Sequence, residues 1–282
     1  MIEIVDPGPL ATVQDLGRRG YVHLGVGRSG AADRPSHTLA NRLVGNAEGA
    51  ATVETTFGGL RLRADVDVLV AVTGATSPVL LGGTPQALNA PLRLPAGVEL
   101  VLGAPERGLR GYLGVRGGVA VAPVLGSRST DLLSGIGPAP LRTGDRLPVG
   151  RDTVADPLVD QAPVLPPALV PVLRVLPGPH GEWFDDAAWP ALLATTWTAS
   201  PDSNRIAVRL RGPALVAEVN GDPPSAPLVP GAVQVPFSAR PLVFLADHPV
   251  TGGYPVLAVV VEADLPAAAQ LRPGQPIRFR PA

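Results

Sequence analysis

Four short stretches of the chain set a carboxylate or amide with an arginine or hydroxyl beside glycine. They are Thr12-Val-Gln14-Asp15-Leu-Gly-Arg18-Arg19-Gly20, Arg28-Ser29-Gly-Ala-Ala-Asp33-Arg34, Leu125-Gly-Ser127-Arg128-Ser129-Thr130-Asp131 and Asp247-His248-Pro-Val-Thr251-Gly252-Gly253-Tyr254-Pro255. Glycine lets backbone N–H groups come close to an anionic oxygen. Arginine offers a planar fork that fits carboxylate or phosphate. That chemistry suits a small anionic substrate, a carbonyl or a nucleotide phosphate. Each stretch also has a structural use. Asp15, Asp33 and Asp131 are suited to turn or helix caps, and Arg128 to pairing with Asp131. Four such loops together exceed what a scaffold ordinarily needs.

The chain has 4 histidines, His23, His37, His180 and His248. None falls in HxH or HExxH spacing, so no histidine metal site is expected. His248, between Asp247 and a Gly-Gly turn, is the best-placed general base, although a solvated loop histidine reads the same way. His23 and His37 read as surface or helix residues. No GxSxG elbow supports a serine nucleophile. No Rossmann or Walker signature is present. Glu54, Asn204-Arg205 and Gln234 lie in or beside apolar segments, where a buried polar group needs a partner.

Composition removes further classes. All 23 basic residues are arginine, so Schiff-base chemistry, a P-loop lysine and a biotinyl-lysine are excluded. Cysteine is absent, which excludes disulfides and thiol catalysis. The net charge of −1, without a basic stripe, argues against nucleic acid. The apolar runs are too short to span a membrane, and the N-terminus does not read as a signal peptide. The expected location is the cytoplasm.

The elements that must position these residues are mainly β. The 33 glycines and 34 prolines separate short aliphatic runs. Such runs predict strands at 3–5, 59–63, 66–72, 79–81, 99–102 and 111–115. A second set is predicted at 173–175, 206–210, 233–235, 242–245, 256–261 and 277–280. Helices are predicted at 35–44 after Asp33, at 186–195 with a late start or kink at Pro190, and at 265–271 capped by Asp264. Prolines 157, 163, 166, 167 and 171 mark an extended linker. The expected division is a first β lobe at 1–152, a linker at 153–173 and a second β lobe at 174–282. The lobes echo one another: Ile4-Val-Asp-Pro-Gly-Pro9 resembles Val175-Leu-Pro-Gly-Pro179, and the turns before their last strands also match.

Several runs together resemble one family. They are Pro7-Gly-Pro-Leu-Ala-Thr-Val-Gln-Asp-Leu-Gly-Arg-Arg-Gly20, Ser29-Gly-Ala-Ala-Asp33, Asn41-Arg-Leu-Val-Gly-Asn46, Leu125–Asp131, Ser200-Pro-Asp-Ser-Asn-Arg205, Gly231-Ala-Val-Gln-Val-Pro236 and Thr251-Gly-Gly-Tyr-Pro255. In this order, from about residue 2 to 280, they resemble the family of KipA and the 5-oxoprolinase C-subunits. That family is also called allophanate hydrolase subunit 2, or biotin-dependent carboxyltransferase-like. The resemblance implies two cyclophilin-like β-barrel lobes with a few short helices. It implies a KipI-type (B-type) partner, an A-type partner, and ATP used by the complex to open 5-oxoproline to glutamate. Related sequences imply two alternatives: carboxyl transfer with biotin carried on another protein, as in urea amidolyase, or a non-catalytic regulator gripping a KipI-type protein. One departure is His248-Pro-Val250, where the family often has a Gln-Thr-type run before Thr-Gly-Gly-Tyr-Pro.

On this resemblance, the expected catalytic residues are Asp15, Asp33, Arg28, Arg128 and His248. Arg28 and Arg128, with the N–H groups of Gly252 and Gly253, would face anionic oxygens. Asp15 or Asp33 would orient water or substrate. Gln14, Asn204, Arg205, Gln234, Thr251 and Tyr254 are the further expected substrate contacts.

Overall fold

Alternation of apolar and polar residues builds the strands of the first unit. In β1 (Ile2–Asp6), Ile2 and Ile4 are fully buried while Glu3 is exposed. The computed structural model describes residues 1–217 and 224–282. These divide into two units. The first holds residues 1–19, 29–131 and 135–167, and the second holds 20–28, 132–134 and 168–282.

The first unit continues with β2 (Leu10–Gln14), helix α1 (Arg34–Leu43), β3 (Thr52–Thr56), β4 (Arg61–Ala64) and β5 (Val68–Thr76). Next come β6 (Val79–Leu81), β7 (Thr84–Gln86), β8 (Pro91–Leu94), β9 (Glu99–Leu102), β10 (Arg107–Val115) and β11 (Arg146–Leu147). They form a six-stranded sheet in the order β11-β1-β4-β9-β6-β7 and a five-stranded sheet in the order β2-β3-β10-β5-β8. One core draws on both sheets, with Ile2, Ile4, Leu62 and Leu100 from one and Val13, Val53, Val70, Leu94 and Leu113 from the other.

The second unit holds β12 (Val172–Pro177), α2 (Ala188–Ala194), β13 (Trp197–Ala199), β14 (Ala207–Arg211) and β15 (Ala226–Pro227). It ends with β16 (Ala232–Gln234), β17 (Leu242–Phe244), β18 (Thr251–Gly252), β19 (Val256–Val260), α3 (Leu265–Ala269) and β20 (Pro276–Pro281). Seven of these close a barrel in the order β12-β19-β16-β17-β14-β13-β20, shut by parallel pairing of β12 with β20. Trp197 fills the core, and its indole N–H donates to the Leu192 carbonyl at 3.0 Å. The molecule is mainly β with a few short helices, as expected.

The helices start where proline chemistry places them. Asp33 caps α1, accepting from Ser36 N at 3.1 Å, with Pro35 in the first turn. Helix α2 begins at Ala188, later than the predicted start, with Pro190 in its first turn. Asp264 precedes α3 but makes no side-chain cap. Its carboxylate instead takes the Arg174 guanidinium, Nε at 2.9 Å and Nη2 at 2.8 Å. A bidentate charged partner outcompetes one backbone N–H.

The segment expected as a linker is held against each unit in turn. Val154 N donates to Gly45 O at 2.9 Å and Ala162 N to Asn89 O at 2.8 Å, both in the first unit. Residues 168–173 belong to the second unit and run into β12.

Candidate functional site

Strands β2, β3 and β10 carry a polar row on the face away from the core. Register aligns Thr12 with Glu54, Glu54 with Tyr112, and Tyr112 with Thr73. All four are buried, because α1 covers this face. Gly114 permits the cover: a Cβ there would lie 2.6 Å from the Ala40 carbonyl oxygen. Thr73 Oγ1 donates to Ser36 O at 2.7 Å, tying β5 to α1.

Glu54 is the hub of this row. Its Oε2 accepts from Tyr112 Oη at 2.8 Å and from Ala32 N at 3.0 Å. Its Oε1 lies 3.6 Å from Arg110 Nε, with both side chains buried. Burial, then the Glu54 and Asp33 charges, push the Tyr112 phenol well above its ordinary range, so it remains a donor. Tyr112 Oη also accepts from Asp33 N at 2.8 Å.

His37 lies on α1 with no exposure and sits over β3. Its Nδ1 is 2.9 Å from Thr52 Oγ1. Burial pushes its pKa down to about 4, against the pull of the Asp15 and Glu54 charges, so the ring is neutral at pH 7. The sequence suggested a surface or helix residue; His37 is helical and buried.

Asp15 follows β2 and organises the loop at 127–129. Its Oδ1 accepts from Ser127 Oγ and Ser129 Oγ, each at 2.6 Å, and from Gly17 N at 2.8 Å. Its Oδ2 accepts from Arg128 N at 2.6 Å. Burial alone would raise this carboxyl, but the four donors together hold it below its usual range. Arg128 does not need Asp131: its Nε donates to Val121 O at 2.7 Å. Gln14 ends β2, fully buried. Its Nε2 donates to Thr130 O at 2.9 Å and Thr12 Oγ1 at 3.1 Å, while its Oε1 and the buried Thr130 Oγ1 find no hydrogen-bond partner among the described residues.

The remaining expected residues lie in the second unit. Arg28 is half-buried in the 20–28 segment. Asn204 shapes a turn, its Oδ1 accepting from Ile206 N at 2.8 Å and Ala207 N at 3.2 Å. Arg205 is buried, its Nε 2.9 Å and Nη2 3.0 Å from the two Asp247 oxygens. Asp247 Oδ2 also accepts from Leu132 N at 3.1 Å. His248 Nδ1 lies 2.7 Å from the Pro249 carbonyl oxygen, which accepts only. Nδ1 is therefore the donor in that contact and carries a proton. Gln234 Nε2 donates to Tyr254 O at 2.9 Å, and a Cβ at Gly252 would lie 3.0 Å from that nitrogen. Thr251 and Gly252 pair with Pro227 and Ala226. Gly253 is half-buried, and the Tyr254 ring meets Phe237 edge-on at 5.1 Å.

Thus Gln14, Asp15 and Arg128 share the 127–131 loop, and Gln234, Gly252 and Tyr254 share the β16–β18 end of the barrel. Asp33, Asn204 and Arg205 have the structural partners just described. Tyr112, Arg110 and the two serines around Arg128 are polar groups that sequence reasoning left out of the site. For Arg110 and Tyr112 the available signal was their period-two spacing in β10, and for Ser127 and Ser129 their places on either side of Arg128 in a glycine-led loop.

The model of the carboxyltransferase domain family, subdomain A and B, matches residues 24–281. The chain belongs to this carboxyltransferase-domain family. This member is 40% identical to the 5-oxoprolinase C-subunit of Escherichia coli, over 99% of this chain and 90% of that protein. It superposes on the crystal structure of TTHA0988 with a TM-score of 0.90 and 39% identity, covering 99% of this chain but 55% of that one. It superposes on the K. lactis urea amidolyase with a TM-score of 0.92 and 32% identity, covering 99% of this chain and 18% of that one. The chain therefore spans about half of the solved TTHA0988 chain and a small part of the amidolyase.

Proposed function

We propose that this chain is the C-subunit of an ATP-dependent 5-oxoprolinase. It would work in the cytoplasm with a KipI-type (B-type) protein and an A-type protein, converting 5-oxoproline to L-glutamate. The observation that carries this reading is the near full-length match, at 40% identity, to a 5-oxoprolinase C-subunit.

The chemistry asks for groups of the kinds described. A lactam is an unactivated amide, and phosphorylating its oxygen makes a better electrophile. Anionic oxygens then need preorganised donors. In the first unit, Arg128 is held by Asp15 at its backbone N–H, which makes Asp15 a positioning residue. Asp33 acts in the same way through the start of α1. Gln14, fully buried, stands behind the loop and holds the Thr130 carbonyl through Nε2. In the second unit, Arg28 and the N–H groups of Gly252 and Gly253 face anionic oxygens. His248 exchanges a proton through Nε2. Gln234, Thr251 and Tyr254 recognise amide or carboxylate, with Asn204 and Arg205 supporting them. ATP belongs to the complex; without lysine, the always-charged side chains that can meet a phosphate on this chain are its arginines.

A second reading, carboxyl transfer from carboxybiotin on another protein, is favoured by the description of the family. One experiment separates the two. The tagged chain is recovered with its partners from the native host, and 5-oxoproline-dependent glutamate and phosphate release are measured. Turnover that needs ATP, ignores avidin and is lost without this chain is the expected result. A stable complex without turnover sinks the oxoprolinase reading, and addition of a carboxybiotin carrier then tests the second. Arg28→Ala with full turnover removes Arg28 from its proposed role.

A further inference from the structure

A cleft of about 490 Å3 on the second unit's barrel is bordered by Arg209, Arg211 and Arg240. Strand alternation explains two of them. In β14, Val208 and Leu210 point into the core, so Arg209 and Arg211 point outward. The loop leading into β17 supplies the third. Leu210 N donates to Pro241 O at 2.9 Å, which brings Arg240 alongside. The turn before it is closed by Ala239 N donating to Pro236 O at 2.8 Å. Ala239 adopts φ 56°, a left-handed conformation that a residue with a Cβ seldom takes. That turn holds Ser238 and Arg240 at the rim of the cleft.

The charges are unbalanced. Among the described residues, no carboxylate pairs with any of these three guanidinium groups, whose side chains are exposed. Among the described residues the cleft holds one acid, Asp202, which accepts from Ser200 Oγ at 3.0 Å. The local charge is therefore about +2, with every arginine cationic across the physiological range. A monocarboxylate neutralises half of this, whereas a dianion neutralises it fully. The guanidinium fork also matches phosphate oxygens two at a time. Among the described residues no aromatic ring lines the cleft, so none of them stacks on a nucleobase there. The volume lies within the range of small-molecule sites.

We propose that the Arg209–Arg211–Arg240 cleft binds the dianionic phosphoryl group of a small molecule. The site goes beyond the oxoprolinase reading and stands whether or not the complex turns over.

Calorimetric titration of the full chain tests it, using inorganic phosphate, ATP, acetate and a tetraglutamate peptide as probes. Phosphate or ATP should bind one per chain, and acetate at least tenfold more weakly. Arg209→Gln, Arg211→Gln and Arg240→Gln should each weaken that binding about tenfold. Arg211→Lys should recover part of it, since the charge returns without the fork. Binding of both phosphate and ATP identifies a free phosphoryl group as sufficient, and ATP alone identifies a polyphosphate; both uphold the proposal. The three side chains lie outside the core, so each variant should melt as the parent does, and any variant that does not is replaced by the lysine form at the same position. No binding of either probe at millimolar concentration overturns the proposal. So does binding unchanged in all three glutamine variants, or tighter binding of the glutamate peptide than of phosphate.

Discussion

Asp15 keeps its negative charge inside the first unit because four donors converge on it. In Asp15→Asn, an amide N–H2 takes the place of an acceptor and meets at least one of those donors head-on. We expect a loss of about 1–3 kcal/mol in denaturant unfolding and faster amide exchange at Gly17 and Arg128. Unchanged exchange at Arg128 would show that another group holds the loop. His37 makes a pH prediction at the same scale. Its folded pKa of about 4 lies below the unfolded value of 6.5. Between these values the unfolded chain binds more protons, so stability is complete above pH 6.5 and falls as pH drops towards 4. The full effect is ~3 kcal/mol. Denaturation across that range should show this slope for the parent and a flatter one for His37→Gln.

At the scale of elements, the polar row works only because α1 lies close on the sheet. Gly114 makes that approach possible. Gly114→Ala would drive a methyl into the Ala40 carbonyl and lift the helix. A loss of about 1–3 kcal/mol is expected in thermal or denaturant unfolding, with Ala40→Gly unable to relieve it, since the obstructing atom is backbone. Strands were legible in the sequence where they are aliphatic. Val79–Leu81 and Glu99–Leu102 fall at the predicted positions, and the predicted 173–175 and 256–261 overlap β12 and β19. β2 and β3 were not legible. Their outward residues are Thr12, Gln14, Thr52 and Glu54, which look like loop chemistry until a helix is known to cover them. The candidate site shared part of this fate: its loops were visible from glycine and arginine, and Gln14, Glu54 and Gln234 were singled out, but Arg110 and Tyr112 on β10 were not.

At the scale of the whole molecule, the chain alternates between two units. Segments 20–28 and 132–134 are embedded in first-unit sequence yet belong to the second unit. Asp247 shows what that membership supplies, since it accepts from Leu132 N as well as from Arg205. A fragment of residues 168–282 would lack both segments and leave a buried carboxylate short of a donor. We expect it to unfold at lower denaturant than the second unit does in the full chain, as followed by the fluorescence of Trp183, Trp189 and Trp197, which all lie in that unit. Equal midpoints would mean that the two segments contribute nothing to the barrel. The sequence by itself determined the β class, the short helices with Asp33 capping the first of them, the excluded lysine and cysteine chemistries, and the polar loops of the candidate site. These follow from composition and near-neighbour spacing, which act locally. Only the tertiary structure decided that Asp15 gathers the 127–129 loop, that Glu54 and Tyr112 meet, and that Arg205 is paired with a carboxylate while, among the described residues, Arg209, Arg211 and Arg240 are not. Each of these depends on which strand lies beside which, and cross-strand neighbours are far apart in sequence.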